Sequence, residues 1–287
     1  MPFFFRRLFA RLPLVQRLRQ RWGSTRGFPL ARYVPGTPRL TGGTHDVFLP
    51  PNSATLGAAA TSQQAAESVA AILSRLTQND EVEHVRALYL CAQDRFGPHW
   101  RSADILTALW GAATLIGPSS YLEIGVFRGR SASVVGATHP DCAIYGFDLW
   151  IEDYFAAPNT GPDFVRQELL AAGHRGSVTL TSGPSAETLP AFLRQHPDLY
   201  FDLITVDGDH SFLGAARDLA NTLPRLKVGG IVVLDDICLA PDLKRLWESV
   251  IERDTRYVTW EFTDGGPGVA AAVRISDQPL SHLGAAR

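Results

Sequence analysis

The feature that most constrains the fold of this chain is a series of short apolar runs between residues 121 and 235. Stretches with helical periodicity separate these runs, near 130–138, 162–172, 186–195 and 212–226. Strands that are apolar throughout are buried on both faces, and strands that alternate with helices pair in parallel. The sequence therefore predicts an α/β fold, with helices on both faces of a mostly parallel sheet. The predicted strands are Tyr121–Val126, Ala143–Asp148, Val178–Thr181, Leu203–Asp207 and Ile231–Asp235.

The carboxyl-terminal region adds two more predicted strands, Tyr257–Phe262 and Val269–Ile275. The connection 263–267 reads Thr-Asp-Gly-Gly-Pro, which is typical of a turn. A short turn between two strands favours antiparallel pairing. The tail therefore predicts an antiparallel pair at the end of the sheet.

Residues before the sheet predict an N-terminal helical extension. Thr61 and Gln64 fit a capping box, and two further helices are expected over 81–93 and 103–116. Residues 23–60 are rich in Gly, Pro and Thr and predict an irregular connection. The predicted organisation is an arm and connection over 1–60, a helical lead-in over 61–117, a sheet domain over 118–277 and a tail over 278–287.

Composition limits the cellular setting of the chain. No run of eighteen apolar residues occurs among its 287 residues, so no membrane-spanning helix is expected. The three cysteines are scattered, which argues against a disulfide framework and a cysteine-based zinc site and fits a reducing cytoplasm. The net charge of −2 hides a basic arm with nine arginines and no Lys, Asp or Glu in residues 1–45. The rest of the chain carries 18 basic and 29 acidic residues, a charge of −11.

The first 22 residues have the pattern of a basic amphipathic helix, with Phe, Leu and Trp at steps of three and four and arginines between them. Pro13 interrupts this pattern. Three interpretations stay open: docking on the chain's own body or a second subunit, contact with the inner membrane surface, and a mitochondrial presequence. Because the body is acidic, no nucleic-acid partner is expected.

Four of the five predicted parallel strands end in acidic residues or glycine at their carboxyl ends. In open α/β sheets, ligands bind outside the carboxyl ends of the strands, near the point where strand order reverses. These acids are therefore expected to converge on one crevice. The alternative is that each acid caps the next helix or ends its strand. The acids are Glu123, Asp148, Asp207, Asp235 and Asp236.

A glycine loop follows the first strand, where residues 123–131 read Glu-Ile-Gly-Val-Phe-Arg-Gly-Arg-Ser. It is neither the dinucleotide fingerprint nor a phosphate-binding P-loop. Gly125 permits a sharp turn close to a ligand, and Gly129 opens the next helix. Asp148 lies 25 residues after Glu123, where an acid can accept hydrogen bonds from ribose hydroxyls. This combination predicts a nucleoside ligand that carries positive charge and no phosphate.

These motifs give the chain a family resemblance over about residues 100–275. The glycine loop, Asp148, the Val-Asp-Gly-Asp-His-Ser stretch from Val206 and the Gly-Gly-Ile-Val-Val-Leu-Asp-Asp stretch from Gly229 resemble class I S-adenosylmethionine-dependent methyltransferases. The closer resemblance is to the bacterial branch of sugar and macrolide O-methyltransferases. It implies a Rossmann-like sheet of seven strands with the last strand antiparallel, which agrees with the antiparallel pair predicted over 257–275.

The resemblance also implies how the cofactor binds. Gly125 would approach its methionine part and Asp148 its ribose, with Glu123, Gly129 and Asp207 in the same site. Residues 182–185 match the segment that flanks adenine, so Gly183 and Ser185 are expected there. Many relatives have Asp at the position of Pro184.

In similar enzymes three acids hold a divalent ion, which implies Mg²⁺ on Asp207, Asp235 and Asp236. A bound Mg²⁺ keeps several waters, which leaves positions for substrate oxygens. His210 and Asp207 are the candidate catalytic residues, because a neutral imidazole beside the acids can accept the acceptor's proton. Both the metal site and the catalytic histidine have an alternative interpretation. The site could be metal-free, with the same acids orienting the substrate, and His210 could be a structural residue with its hydrogen bonds made within its own loop.

The expected activity is methyl transfer to a hydroxyl of a sugar, glycolipid or natural product. Two rivals use the same fold: a nicotinamide-dependent oxidoreductase and a non-catalytic binding or assembly protein. The loop's missing second glycine weakens the oxidoreductase. The intact acid cluster argues against the hypothesis of a non-catalytic binding protein, whereas Pro184 favours that hypothesis.

Overall fold

The computed structural model describes residues 39–40, 47–48, 50–152, 161–264 and 266–277. Its central element is one sheet of seven strands. Residues 39–40 and 47–48 pair separately in a short antiparallel ladder. The sheet consists of β1 (Ser120–Ile124), β2 (Ala143–Asp148), β3 (Val178–Ser182), β4 (Phe201–Val206), β5 (Leu226–Leu234), β6 (Tyr257–Phe262) and β7 (Val269–Arg274).

The strand order is β3-β2-β1-β4-β5-β7-β6. β1 to β5 pair in parallel, and β7 runs antiparallel to both β5 and β6. In register, Leu122 of β1 lies between Tyr145 of β2 and Ile204 of β4. The predicted seven-stranded, mostly parallel sheet with its last strand antiparallel is confirmed. The strand order reverses between β1 and β4, which places the crevice predicted for this fold at their carboxyl ends.

Nine α-helices surround the sheet in the described part of the chain. They are α1 (Ser53–Ala60), α2 (Gln63–Leu73), α3 (Asp80–Phe96), α4 (Ile105–Ile116), α5 (Arg130–Thr138), α6 (Gly161–Ala172), α7 (Ser185–Gln195), α8 (Phe212–Thr222) and α9 (Pro241–Trp247).

Helix α1 corrects one expectation, because residues 53–60 are helical rather than irregular. Asn52 caps α1 by accepting the Thr55 N–H. The predicted capping box at Thr61 is also wrong, since Thr61 ends α1 and Ser62 caps α2. Ser62 Oγ accepts the Ala65 N–H at 3.0 Å. The remaining predicted helices are present.

Both faces of the sheet are buried, as the continuous apolar strands predict. One face packs against α7, α8 and α9, with Leu189, Leu219 and Trp247 in its core. The other face packs against α1, α4, α5 and α6. A third cluster joins α2, α3 and α4 and includes Val69 and Tyr89. The helical extension is therefore packed on the sheet domain.

A buried carboxylate fastens the amino end of the sheet. Asp202, at the start of β4, is fully buried. Its Oδ2 accepts the backbone N–H groups of Ser119 and Ser120 at 2.9 and 3.0 Å, and their hydroxyls at 2.7 and 3.0 Å. Lys227 Nζ of β5 donates to Oδ1 at 2.8 Å. One side chain thus joins β1, β4 and β5.

None of the helices in the described ranges is long and apolar enough to cross a membrane. The expectation of a basic amphipathic helix over residues 1–22 lies outside the described residues.

Candidate functional site

The chain passes close to itself where the strand order reverses. Gly125 N–H donates to the Phe147 carbonyl at 2.9 Å, and Asp207 N–H donates to the Ile124 carbonyl at the same distance. Gly125 has φ +85°, and a Cβ there would lie 1.9 Å from the Asp207 carbonyl oxygen. Glycine is thus required at 125 because the chain leaving β4 passes against it.

Gly129 has a structural reason of its own. It precedes the first turn of α5 with φ +73°, and a Cβ there would lie 2.9 Å from Val165 Cγ1 of α6. Packing between α5 and α6 therefore explains this glycine without a ligand. Contact of Gly125 and Gly129 with a cofactor stays a prediction.

Asp148 fastens the glycine loop to the loop that follows β2. Its Oδ2 accepts the Phe127 N–H at 2.7 Å, and its Oδ1 accepts the Trp150 N–H at 2.6 Å. Each carboxylate oxygen can accept a second hydrogen bond. Asp148 can therefore hold the loop and still accept hydroxyl groups from a ligand.

Glu123 lies behind the same loop and is fully buried in β1. Its Oε1 accepts the Ser131 hydroxyl, whereas Oε2 has no partner among the described residues. Burial raises the pKa of Glu123 to about 8, and the charges of Asp207 and Asp148 add to the rise. The ionised form of a carboxyl group with a raised pKa is stabilised by a nearby positive charge. This orphaned oxygen is the observation that best fits a cationic cofactor.

The segment after β3 adjoins Asp148. Gly183 has φ +121° and donates its N–H to the Asp148 carbonyl at 2.9 Å. Pro184 occupies the N-cap position of α7, and Ser185 is the first residue of that helix. The structure thus places Gly183 at the expected edge of the sheet, beside the proposed ribose acid.

Asp207, His210 and Asp236 form a compact group where β4 and β5 end. His210 Nε2 lies 3.5 Å from Asp207 Oδ1 and 3.2 Å from Asp236 Oδ2. Each residue offers one ligand atom, and these atoms lie within 4.8 Å of one another. Two carboxylates and an imidazole form a donor set that suits a divalent cation.

Electrostatics in this group also favour a cation. Burial raises the pKa of Asp207 and of Asp236, and the Asp236 charge raises that of Asp207 further. The hydrogen bond to Asp207 raises the pKa of His210. A shared positive charge would stabilise the ionised forms of both acids.

Asp235 stands apart from the compact group, although it precedes Asp236. Burial raises its pKa well above the ordinary range, and the charges of Asp207 and Asp236 contribute. The compact group and the metal site expected from sequence share Asp207 and Asp236. The compact group contains His210 in place of Asp235. The sequence predicts His210 as a base, and the geometry makes it a candidate metal ligand as well.

Asp209 supports the start of α8, although Ser211 is the residue that caps this helix. Its Oδ1 accepts the Ser211 N–H at 2.8 Å, and Ser211 Oγ accepts the Gly214 N–H at 3.1 Å. A Cβ at Gly214 would lie 1.9 Å from Asp209 Oδ2, so this carboxylate lies against the first turn of α8. Asp209 therefore orders the loop that carries His210.

The helical extension adds residues to the site that sequence analysis missed. Arg130, at the start of α5, pairs with Glu81 of α3, and its charge lowers the pKa of Asp207. Tyr89 of α3 donates to Asp104, whose charge raises the pKa of Asp235. Arg130 belongs to the glycine-loop motif, but no motif marks Glu81, Tyr89 or Asp104, because their approach depends on how α3 packs over the sheet.

Comparison with known proteins agrees with this architecture. Residues 122–237 match the family model of the methyltransferase domain. No curated protein matches the sequence. Among solved structures, the O-methyltransferase TomG of tomaymycin synthesis from Streptomyces achromogenes, in complex with SAM, is 19% identical with a TM-score of 0.50. The match covers 70% of this chain and 92% of that one.

Two other structures match more loosely. An O-methyltransferase from Bacillus cereus in complex with SAH is 16% identical, with a TM-score of 0.48 and coverage of 69% and 92%. The SAH-bound methyltransferase PaMTH1 from Podospora anserina is 18% identical, with a TM-score of 0.46 and coverage of 70% and 98%. Residues 122–237 therefore match a methyltransferase domain, and the chain has the fold of class I S-adenosylmethionine-dependent methyltransferases.

Proposed function

We propose that this methyltransferase transfers a methyl group from S-adenosylmethionine to a hydroxyl of a sugar, glycolipid or natural product, with help from a divalent cation. The observation that carries the proposal is the carboxyl edge of the sheet. There, Glu123, Asp207 and Asp236 have raised pKa values around a glycine loop that Asp148 holds in place.

The chain's own residues fit the cofactor in charge and position. The cofactor supplies an activated methyl group on a positively charged sulfur. Asp148 would accept hydrogen bonds from the ribose, Gly125 and Gly129 would let the loop approach the cofactor, and Gly183 and Ser185 would lie beside the adenine. Glu123 can ionise beneath the loop when a positively charged cofactor binds, since its Oε2 has no hydrogen bond of ordinary geometry among the described residues.

His210 can hold the acceptor's proton while transfer proceeds. Carboxylates only accept hydrogen bonds, so Nε2 carries its hydrogen when it faces ionised Asp207 and Asp236. In the neutral ring, Nδ1 is then the nitrogen that accepts a proton. The two acids stabilise the resulting imidazolium, and they hold the ring in place beforehand.

Asp207 and Asp236 would hold the proposed cation, together with either Asp235 or His210 Nε2. The cation would lower the pKa of a bound hydroxyl. Mg²⁺ prefers oxygen ligands, which favours Asp235 as the third residue and leaves His210 for proton transfer. An imidazole ligand would favour a softer ion.

The rim of the site suits an acceptor with an apolar part. Leu149 and Ile151 follow β2 and are 52% and 53% exposed, and Leu239 follows β5 and is 68% exposed. Large exposed apolar side chains near a site commonly contact a ligand or partner. This rim supports a glycolipid or an apolar natural product over a free sugar.

Calorimetric binding of S-adenosylmethionine and S-adenosylhomocysteine tests the proposal without knowledge of the acceptor. We expect micromolar binding to the wild-type chain and a loss of at least about 10-fold in Asp148→Ala, because one charged hydrogen-bond acceptor is removed. The matched control is Asp141→Ala, since Asp141 is exposed at the opposite end of β2 and pairs only with Arg175 in the described residues. It should bind like the wild type.

A screen of hydroxyl acceptors with Mg²⁺ or chelator follows. Methylated product that requires the cation supports the full proposal. Absence of binding of either nucleoside by the folded wild-type chain would overturn it in favour of a non-catalytic protein, and Pro184 would then mark a cofactor site that has been lost.

A further inference from the structure

A second buried acid lies behind the site, on the inner face of α8. Asp218 is 1% exposed, and neither carboxylate oxygen has a hydrogen bond of ordinary geometry in the described residues. Burial raises its pKa to about 6. Buried polar groups are nearly always hydrogen-bonded, and one that is not calls for an explanation. Neither packing nor the acid cluster explains this one.

Asp218 lies beneath two loops that border the proposed cofactor site. A Cβ added at Gly208, in the loop after β4, would lie 3.6 Å from Asp218 Oδ2. The Ser185 hydroxyl, after β3, partly offsets the rise in the pKa of Asp218, although its present geometry is looser than an ordinary hydrogen bond. Helices α7 and α8, which carry Ser185 and Asp218, pack against each other.

The burial of Asp218 decides how it can act. Both carboxylate oxygens have less than 1 Å² of exposed surface, so a ligand cannot reach them directly. Ser185 is only partly buried and can face both the carboxylate and a ligand. Any effect of Asp218 on a ligand therefore passes through the Ser185 hydroxyl.

Hydrogen-bond chemistry then fixes the direction of that hydroxyl. A serine hydroxyl has one hydrogen to donate and two lone pairs, whereas a carboxylate only accepts. When Ser185 donates to Asp218, its oxygen is left as an acceptor toward the site. The 6-amino group of adenine is a donor. Pro184 offers no polar side chain that could take this role.

We propose that Asp218 is a positioning residue that holds the Ser185 hydroxyl as the hydrogen-bond acceptor for the 6-amino group of the cofactor's adenine. This inference rests on the proposed function, because it requires a bound adenosyl group. It gives the chain a way to recognise adenine without an acid at position 184.

The test compares binding of S-adenosylhomocysteine with that of S-inosylhomocysteine, in which a carbonyl oxygen replaces the 6-amino group. The wild-type chain should prefer the adenosyl compound by about 10-fold or more, because two acceptors would face each other in the inosyl complex. Ser185→Ala should abolish the preference. Asp218→Asn should reduce it to near unity or reverse it, since an Asn amide can donate to Ser185 and turn its hydrogen toward the ligand.

Thr222→Val is the matched control, because Thr222 is another buried polar residue, one turn further along α8 and bonded to the Asp218 carbonyl. It should keep the wild-type ratio. The double variant of Ser185→Ala and Asp218→Asn should match Ser185→Ala alone, as expected for residues that act through one contact.

Equal loss of affinity for both compounds in Asp218→Asn, with the ratio unchanged, would show a structural role and overturn the inference. An unchanged ratio in Ser185→Ala, which should fold, would overturn it as well. Failure of the wild-type chain to bind S-adenosylhomocysteine is a distinct result, and it would remove the proposed function together with this inference.

Discussion

The two ends of β4 carry acids in opposite situations, although the strand is only six residues long. Asp202 at the amino end receives hydrogen bonds from Ser119, Ser120 and Lys227, which belong to its neighbouring strands or precede them. Asp207 follows the carboxyl end, and its charged neighbours include Asp236 as well as His210. Asp207 is only partly buried, whereas Asp202 is fully buried and has a full set of donors.

The same difference extends across the sheet. Near Asp207, Glu123 has an orphaned oxygen, and Asp236 adopts a left-handed backbone conformation with φ +60°. Such features cost stability unless a ligand compensates for them. We therefore expect acids at the amino edge of the sheet to stabilise the protein and acids at the carboxyl edge to serve binding. Replacing an acid should lower the free energy of unfolding at the first edge and raise it at the second.

Asp202→Ala should produce the largest effect. It leaves Lys227 and the Ser119 and Ser120 donors buried without their acceptor, so the free energy of unfolding should fall by about 3–5 kcal/mol. Urea unfolding monitored by fluorescence measures this. Asp141→Ala, which breaks an exposed pair with Arg175, should cost less than about 0.5 kcal/mol. Similar losses in the two variants would contradict the contrast between buried and exposed acids.

Glu123→Gln should instead stabilise the protein as pH rises. Because the folded-state pKa of about 8 exceeds the ordinary 4.5, wild-type stability is highest below pH 4.5 and is lost as pH rises through 8. Glutamine removes this dependence. Its advantage in urea unfolding should therefore grow between pH 5 and 8, to on the order of 3 kcal/mol. A pH-independent difference would show that Glu123 is ionised in the folded protein. The variant should bind the cofactor more weakly, because glutamine cannot ionise beneath the loop when the positively charged cofactor binds.

Cation binding should depend only on the acids and the histidine at the carboxyl edge of the sheet. Asp236→Asn should weaken Mn²⁺ binding, measured by electron paramagnetic resonance, by about 10- to 100-fold. Comparison of Asp235→Asn with His210→Ala identifies the third ligand, since the variant with the larger loss lacks it. Equal affinity in Asp236→Asn and the wild-type chain would exclude the proposed cation site.

Asp209→Ala should have the smallest effect, although Asp209 lies between Asp207 and His210. It removes the acceptor for the Ser211 N–H at the start of α8, so the expected loss of unfolding free energy is about 1 kcal/mol. Mn²⁺ binding should be nearly unchanged. Loss of cation affinity comparable to that of Asp236→Asn would show that Asp209 is a ligand rather than a support for the start of α8.

The sheet could be predicted because its signal is local. Apolar strands such as 231–235 end in acids, and parallel pairing brings those ends to one edge. Helix α1 could not be predicted, since its sequence of Ser, Ala, Thr and Gly with a single Leu has no clear apolar face. Tertiary contact stabilises it instead: a Cβ at Gly111 of α4 would lie 2.9 Å from the Ala60 nitrogen.

The sequence could predict that Asp207, His210 and Asp236 lie at one edge of the sheet, but it could not predict their contacts. Which ring nitrogen of His210 faces the acids depends on the loop that Asp209 orders. Asp218 was missed because its burial depends on the packing of α8 against α7. An acid beside Ala215, Ala216 and Leu219 on the inner face of an amphipathic helix was the available signal.

The most direct test of the contrast is hydrogen–deuterium exchange of the wild-type chain with and without S-adenosylhomocysteine. We expect slower exchange at the carboxyl edge, in peptides covering 124–131, 147–151, 183–188 and 207–212. Peptides at the amino edge, covering 118–121 and 200–203, should show no change. Protection confined to the amino edge, or none in the four carboxyl-edge peptides at saturating ligand, would contradict the assignment of the cofactor site.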